Sequence, residues 1–132
     1  MMVKYLKAKL HGLTVTSKNL RYTGSIKLDP AFIERAGIAP YEVVLVVNTA
    51  NGERFETYVI EGRRGSREVG LQGGTARLGE VGDELIVMSF VYCDPKEFRA
   101  PVTCMYRNNR LWRVVRTNGT PRAERRVEGR GR

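Results

Sequence analysis

A hydroxyl, a guanidinium, a phenol, an ammonium and an imidazole stand at positions where each can do chemistry. Ser25 follows Gly24 in RYTGSIKLD (21–29). By itself Gly-Ser is a common dipeptide, and an isolated glycine in a strand marks a turn or bulge. A serine hydroxyl is a weak nucleophile that needs positioning and oxyanion donors. Arg54 carries a planar fork that can hold a carboxylate by two parallel hydrogen bonds; the plainer reading is an exposed arginine after a turn. Tyr58 is a phenol able to pass a proton when positioned, or a strand aromatic packing across a sheet. Lys9 and His11 lie two apart on one strand face, so both can point into one pocket. His11 is the only histidine, and a lone histidine more often makes a structural hydrogen bond than catalyses, despite its suitable intrinsic pKa. With Cys93 and Cys104 it shows no ligand spacing, so no metal site is expected.

The elements that must position these groups read mostly as strands. Residues 3–16 alternate, with Lys7, Lys9, His11, Leu13 and Val15 on one face and Leu6, Ala8 and Leu10 on the other. Residues 20–28 alternate again through Leu20, Tyr22, Gly24, Ile26 and Leu28. Asp29 is a good N-cap, Pro30 suits the first helical position, and Gly37 ends a short helix over 31–36. EVVLVVNT (42–49) reads as a buried strand. Asn51-Gly52 predicts a type I′ hairpin turn into a return strand over 53–60. A turn over 61–66, a loop within 68–78 and a strong strand over 84–92 follow. Leu111 to Val115 can add a short strand. Many short strands, tight turns and a short helix predict a mainly β, closed or nearly closed barrel, because closure removes exposed edges.

The chain has 132 residues, one domain's worth. Its net charge of +9 is unevenly spread. Residues 1–106 carry 14 basic and 12 acidic side chains, whereas 107–132 carry nine arginines against Glu124 and Glu128. We therefore read one domain over 1–118 and a basic, disordered tail over 119–132. The balanced body argues against nucleic acid as the partner. No apolar run reaches the ~18 residues a membrane helix needs, and MMVKYLKAKLHGL lacks the apolar core of a secretory signal. Two cysteines make no disulfide framework. The expected location is cytoplasmic, with no membrane partner.

Several motifs in order resemble the pyruvoyl-dependent aspartate 1-decarboxylase family. They are KLH (9–11), the V-x-x-x-x-L-x-Y-x-G-S pattern ending at Gly24-Ser25, AGI (36–38), NGERFETY (51–58), RGSR (64–67) and VGD (81–83). The resemblance covers roughly residues 4–92. It implies a double-psi β-barrel with one or two short helices, assembled as a homotetramer with active sites between subunits. It implies self-cleavage between Gly24 and Ser25 into pieces 1–24 and 25–132. The cofactor would be a covalent pyruvoyl group made from Ser25, with no metal and no pyridoxal phosphate. L-aspartate would form a Schiff base on that group and leave as β-alanine and CO2, serving pantothenate biosynthesis. Carried over residue by residue, Ser25 and Tyr58 are catalytic, Tyr58 as proton donor. Gly24, Ser25 and Thr57 take part in self-cleavage. Lys9, Arg54, Thr57, Gly73, Gly74 and Thr75 bind substrate, with His11 and Gln72 in support.

The substrate loop departs from the family's usual Asn-Gly-Ala-Ala-Ala and reads Gln72-Gly73-Gly74-Thr75-Ala76. Gln72 adds a methylene, and Thr75 adds bulk and a hydroxyl. The alternative to aspartate is therefore the same chemistry on another acidic amino acid. A contrasting class is a non-catalytic barrel that binds nucleic acid through its basic tail. Whether cleavage is spontaneous or needs a maturation factor is open at this level.

Overall fold

The structure is a computed structural model. It describes residues 1–116 and the backbone of the strand Glu124–Arg126. Ten strands, β1(Val3–Thr14), β2(Ser17–Asn19), β3(Ser25–Leu28), β4(Val43–Asn48), β5(Arg54–Glu61), β6(Val69–Gln72), β7(Glu84–Cys93), β8(Val102–Arg107), β9(Arg110–Arg116) and β10(Glu124–Arg126), form one sheet. Its order is β10-β9-β8-β1-β7-β4-β5-β3-β6-β2. Three pairings are parallel, β1 with β8, β2 with β6 and β3 with β5.

The fold is mainly β and barrel-like, and the reason lies in the run from β1 to β2. β1 sits inside the sheet between β8 and β7, while β2 is its last strand. Only Val15 and Thr16 separate them. The sheet must curl to bring its far end to the end of β1. The Thr16 amide and hydroxyl both donate to the Val69 carbonyl, at 2.8 and 3.2 Å, and the Val69 amide donates back to Thr16 Oγ1 at 2.9 Å. The enclosed core runs through Ala8, Leu10, Leu13, Ile26, Leu28, Val44, Val46, Val59, Leu71, Leu85 and Val87, each at most 1% exposed.

The helix α1(Pro30–Ala36) forms as expected: the Asp29 side chain accepts from the Ala31 amide, and Gly37 closes it at φ 71°. It buries Phe32, Ile33 and Ala36 against the barrel. Two 3₁₀ turns, Gly73–Leu78 and Pro95–Glu97, complete the regular elements. Among the described residues no helix is long and apolar enough to cross a membrane.

Four expectations need correction. Leu6 does not share the face of Ala8 and Leu10, since a slip between Leu6 and Ala8 sets them against Phe90 and Ser89, neighbours on opposite faces of β7; nor do Leu13 and Val15 share the face of Lys9 and His11. The pairing of β1 with β7 slips between His11 and Leu13, where Gly12 takes φ 90°, and the slip turns Leu13 inward with Ala8 and Leu10. Residues 20–24 are turn rather than strand, leaving Leu20 and Tyr22 exposed. The β4–β5 hairpin is not a type I′ turn: Gly52 has positive φ and Asn51 does not. Residues 68–78 hold a strand and a 3₁₀ turn, where a loop was expected. The tail read as disordered lies outside the described residues, except Glu124–Arg126, which pairs antiparallel with Arg113–Val115.

Candidate active site

β3 carries Ser25 into the sheet with a neighbour on each side. On one side it runs antiparallel to β6, setting Ser25 opposite Gln72. On the other it runs parallel to β5, with Ile26 level with Val59. Ile26 and Val59 are core residues, so alternation turns Ser25, Tyr58 and Gln72 to the opposite face. Continuing the same register sets Tyr58 beside Ser25, and Thr57 at the level of Gly24.

Ser25 is 1% exposed, and its hydroxyl has no hydrogen-bond partner. Among the described residues it is the one buried side-chain polar atom left in that state. A buried hydroxyl without a partner costs ~1–3 kcal/mol. Native structures keep few such groups, often where strain or catalysis explains them.

The turn that follows β6 covers this serine. Gly73 adopts φ 65°, and a Cβ there would lie 2.5 Å from the Tyr22 carbonyl oxygen and 2.6 Å from the Gly24 nitrogen. No residue but glycine allows so close a backbone approach. Gly24 itself has no such restriction, since a Cβ on it would meet nothing nearer than 4.0 Å. Gly74 is exposed with open space around it. Thr75 is buried, and its hydroxyl proton is shared between the Ser25 carbonyl at 3.1 Å and the Gln72 carbonyl at 2.8 Å. Its added hydroxyl thus holds the backbone on both sides of the serine pocket.

Arg54 and Tyr58 share the outer face of β5. Arg54 is exposed and has no side-chain partner among the described residues. The Tyr58 ring stacks on Tyr41 at 6.2 Å between centroids. Thr57 points inward and is 9% exposed.

Lys9 and His11 lie elsewhere. Lys9 pairs with Met88, Met88 with Leu45 and Leu45 with Glu56; His11 reaches Arg54 through Ile86 and Val47. Both are on the same outer face as Arg54 and Tyr58, but three strand spacings away, about 14 Å along the curved sheet. Within one chain they do not join the group around Ser25.

One support was not singled out from sequence. Asn48, fully buried at the end of β4, donates to the Leu78 carbonyl at 3.1 Å and to Asp83 Oδ2 at 2.9 Å. The Asn51 amide reaches the same Leu78 carbonyl at 3.1 Å. The hairpin that carries Arg54 is thereby tied to the end of the turn that covers Ser25. An asparagine at an inward position of an apolar strand was the signal, because it must find partners there. The Asn48 amide also holds the Asp83 carboxyl below its ordinary pKa, with the Glu80 amide adding to the effect.

The sequence model of the aspartate decarboxylase family matches residues 1–112. The chain belongs to that family. A Thermotoga petrophila protein named aspartate 1-decarboxylase is 49% identical over 107 residues, covering 81% of this chain and 93% of its own length. A Chlorobium luteolum protein of the same name is 49% identical over 112 residues, covering 83% and 88%. A Thermotoga sp. RQ2 relative, again aspartate 1-decarboxylase, reaches 59% over 86 residues, covering 65% and 75%. This family membership makes the chain a carboxy-lyase. No group of three or more potential metal ligands occurs among the described residues.

Proposed function

We propose that this decarboxylase-family chain processes itself at Gly24-Ser25 and converts L-aspartate to β-alanine and CO2, supplying β-alanine for pantothenate in the cytoplasm. The observation that carries the reading is the buried, unpartnered Ser25 hydroxyl set beside a backbone that only Gly73 lets close. Ser25 Oγ adds to the Gly24 carbonyl carbon and expels the Ser25 nitrogen, so the peptide becomes an ester. Elimination across the Ser25 Cα–Cβ bond then releases residues 1–24 with a free carboxylate and leaves dehydroalanine. Water adds and ammonia departs, which leaves a pyruvoyl group on residue 25. The family resemblance gives Thr57 a part in this cleavage, where its hydroxyl would donate to the oxyanion of the first step.

The pyruvoyl ketone supplies an electrophile for the substrate amine and a sink for the electrons released with CO2. Arg54 holds the carboxylate that stays on the product. It lies four residues from Tyr58 on β5, about 13 Å, a gap for the long guanidinium arm and the substrate to close. Tyr58, beside residue 25, returns the proton to the carbon that lost CO2. Exposed Gly74 leaves room for substrate over the turn, and Gln72 frames the pocket opposite Ser25.

Lys9 and His11 enter such a site only from another copy of the chain. The exposed apolar side chains at Tyr41 and Val43 suit a contact there. We therefore propose an oligomer with the site shared between subunits, a homotetramer as the family resemblance implies. Mixing Lys9→Ala with Arg54→Ala protein should restore part of the activity each lacks, and no recovery would place Lys9 outside the site.

The deciding test is the denatured mass of purified protein. Two pieces split after Gly24, the larger lighter by one ammonia than a serine-started chain, support the reading. A single chain that stays whole on warming, both alone and with cell extract able to supply a maturation factor, removes it. Incubating cut protein with L-aspartate and other acidic amino acids then separates aspartate from the alternative that Gln72 and Thr75 raise.

A further inference from the structure

A cavity of about 410 Å³ opens at the other end of β3 from Ser25. Asp29, just past that end, is about 13 Å from Ser25 by strand rise. Three elements wall the cavity: α1, the 65–67 loop and the β8–β9 hairpin. Its size suits a small molecule.

The floor is apolar. Phe32 and Tyr106 meet edge to face at 5.0 Å, with half-buried Leu111 beside them. Tyr106 lines the cavity and is only 6% exposed, and its hydroxyl has no hydrogen-bond partner among the described residues. Around this floor stand Arg35, Arg67 and Arg110. None of the three guanidiniums is engaged by a carboxylate or carbonyl among the described residues. The one acid in the wall, Asp29, is already occupied: it accepts from the amides of Ala31 (3.0 Å), Gly65 (3.1 Å) and Arg67 (2.8 Å). Burial raises the Tyr106 pKa far above its ordinary value, against a smaller opposing pull from Arg35, so the phenol stays a neutral donor.

The walls are also fixed in place. Asn109 is buried and accepts from the Thr14 amide at 2.7 Å. It donates to the carbonyls of Thr14 at 3.0 Å and Arg67 at 3.1 Å. That clamp and Asp29 hold Arg67 at φ 56°, an unfavourable backbone for a side chain of this kind. A rigid apolar floor, an unspent donor and three uncommitted cations converge on one space.

We propose that this cavity is a second binding site, separate from the Ser25 pocket, for a small anion that carries a carboxylate or phosphate on an apolar body. The charged group sits among Arg35, Arg67 and Arg110, where guanidiniums form strong charge-assisted bonds. The body lies on Phe32 and Leu111, and the Tyr106 hydroxyl donates to the anion.

The test uses the full chain titrated with phenyl phosphate, benzoate, inorganic phosphate and neutral benzyl alcohol, read by NMR. Phenyl phosphate or benzoate should move resonances of Phe32, Asn109 and Leu111 and leave those of residues 54–58 in place. Inorganic phosphate should bind several-fold more weakly and benzyl alcohol not measurably. Arg35→Ala with Arg110→Ala, both at exposed positions, should raise Kd roughly tenfold, and Tyr106→Phe about threefold. Arg54→Ala should leave the affinity unchanged. Shifts centred on residues 54–58, equal binding of the neutral alcohol, or an unchanged Kd in the double variant would each overturn the assignment. Because the readout is binding, these outcomes are independent of whether Gly24-Ser25 is cut.

Discussion

Gly73 presses against Gly24 so closely that a Cβ on it would stand 2.7 Å from the Gly24 Cα. The glycine that space demands is therefore in the covering turn, and not the one before the serine. Gly73→Ala should yield a chain that does not cut, because the added methyl pushes the Gly24 backbone out of line with Ser25. It should also cost ~1 kcal/mol or more from its positive φ alone. The denatured mass and the urea midpoint check both parts; normal cutting would show that the close contact does not matter.

Ser25→Ala should stay one chain and be inactive. It should also be more stable than uncut wild-type protein by ~1 kcal/mol, because it removes a buried hydroxyl that nothing satisfies. Chemical denaturation of the two uncut proteins measures the difference. A loss of stability would mean that the hydroxyl has a partner in solution.

Arg54→Ala and Tyr58→Phe should separate binding from chemistry. The first should raise KM for L-aspartate roughly tenfold or more, as loss of a charge-assisted contact does. The second should lower kcat by about 100-fold with a smaller change in KM. Both should still be cut, since neither hydroxyl nor carbonyl of the scissile pair is altered. Equal effects on both constants in both variants would merge the two roles.

The Asp83 carboxyl is held below its ordinary value of 3.8, first by the Asn48 amide. A depressed folded-state pKa contributes stability that is present above the unfolded value and lost as pH falls through the folded one. Tm should therefore drop on acidification below about pH 4, and Asp83→Asn should flatten that part of the drop. Thermal melts from pH 5 to pH 2 give the answer, and parallel curves would remove Asp83 from the acid response.

Local chemistry was legible where one residue decides it. Asp29, Pro30 and Gly37 announced α1, and the structure uses each as expected. The alternation of β1 was legible only from Ala8 to His11, because nothing in a two-residue period signals the slips against β7 between Leu6 and Ala8 and between His11 and Leu13. The turn chemistry misled at Asn51-Gly52 and was passed over at Asn108-Asn109. Those two asparagines take φ 49° and 57°, the positive-φ pair that joins β8 to β9. Of the site, Gly24, Ser25, Thr57, Tyr58 and the 72–75 turn come together around β3, β5 and β6. Lys9 and His11 do not, since their distance depends on how many strands intervene, and sheet order is invisible to local pattern.

The central place of β1 changes what a cut after Gly24 would mean for the molecule's life. Residues 1–24 contain β1 and β2, and β1 is gripped by β7 along one edge and β8 along the other. The severed piece would be unable to leave without tearing both ladders. A matured protein would thus be two chains folded as one. If heated until it opens, it would have to find its missing strand again by collision, so its recovery would depend on concentration. What reads as a single domain would age as an assembly, easily kept and poorly remade.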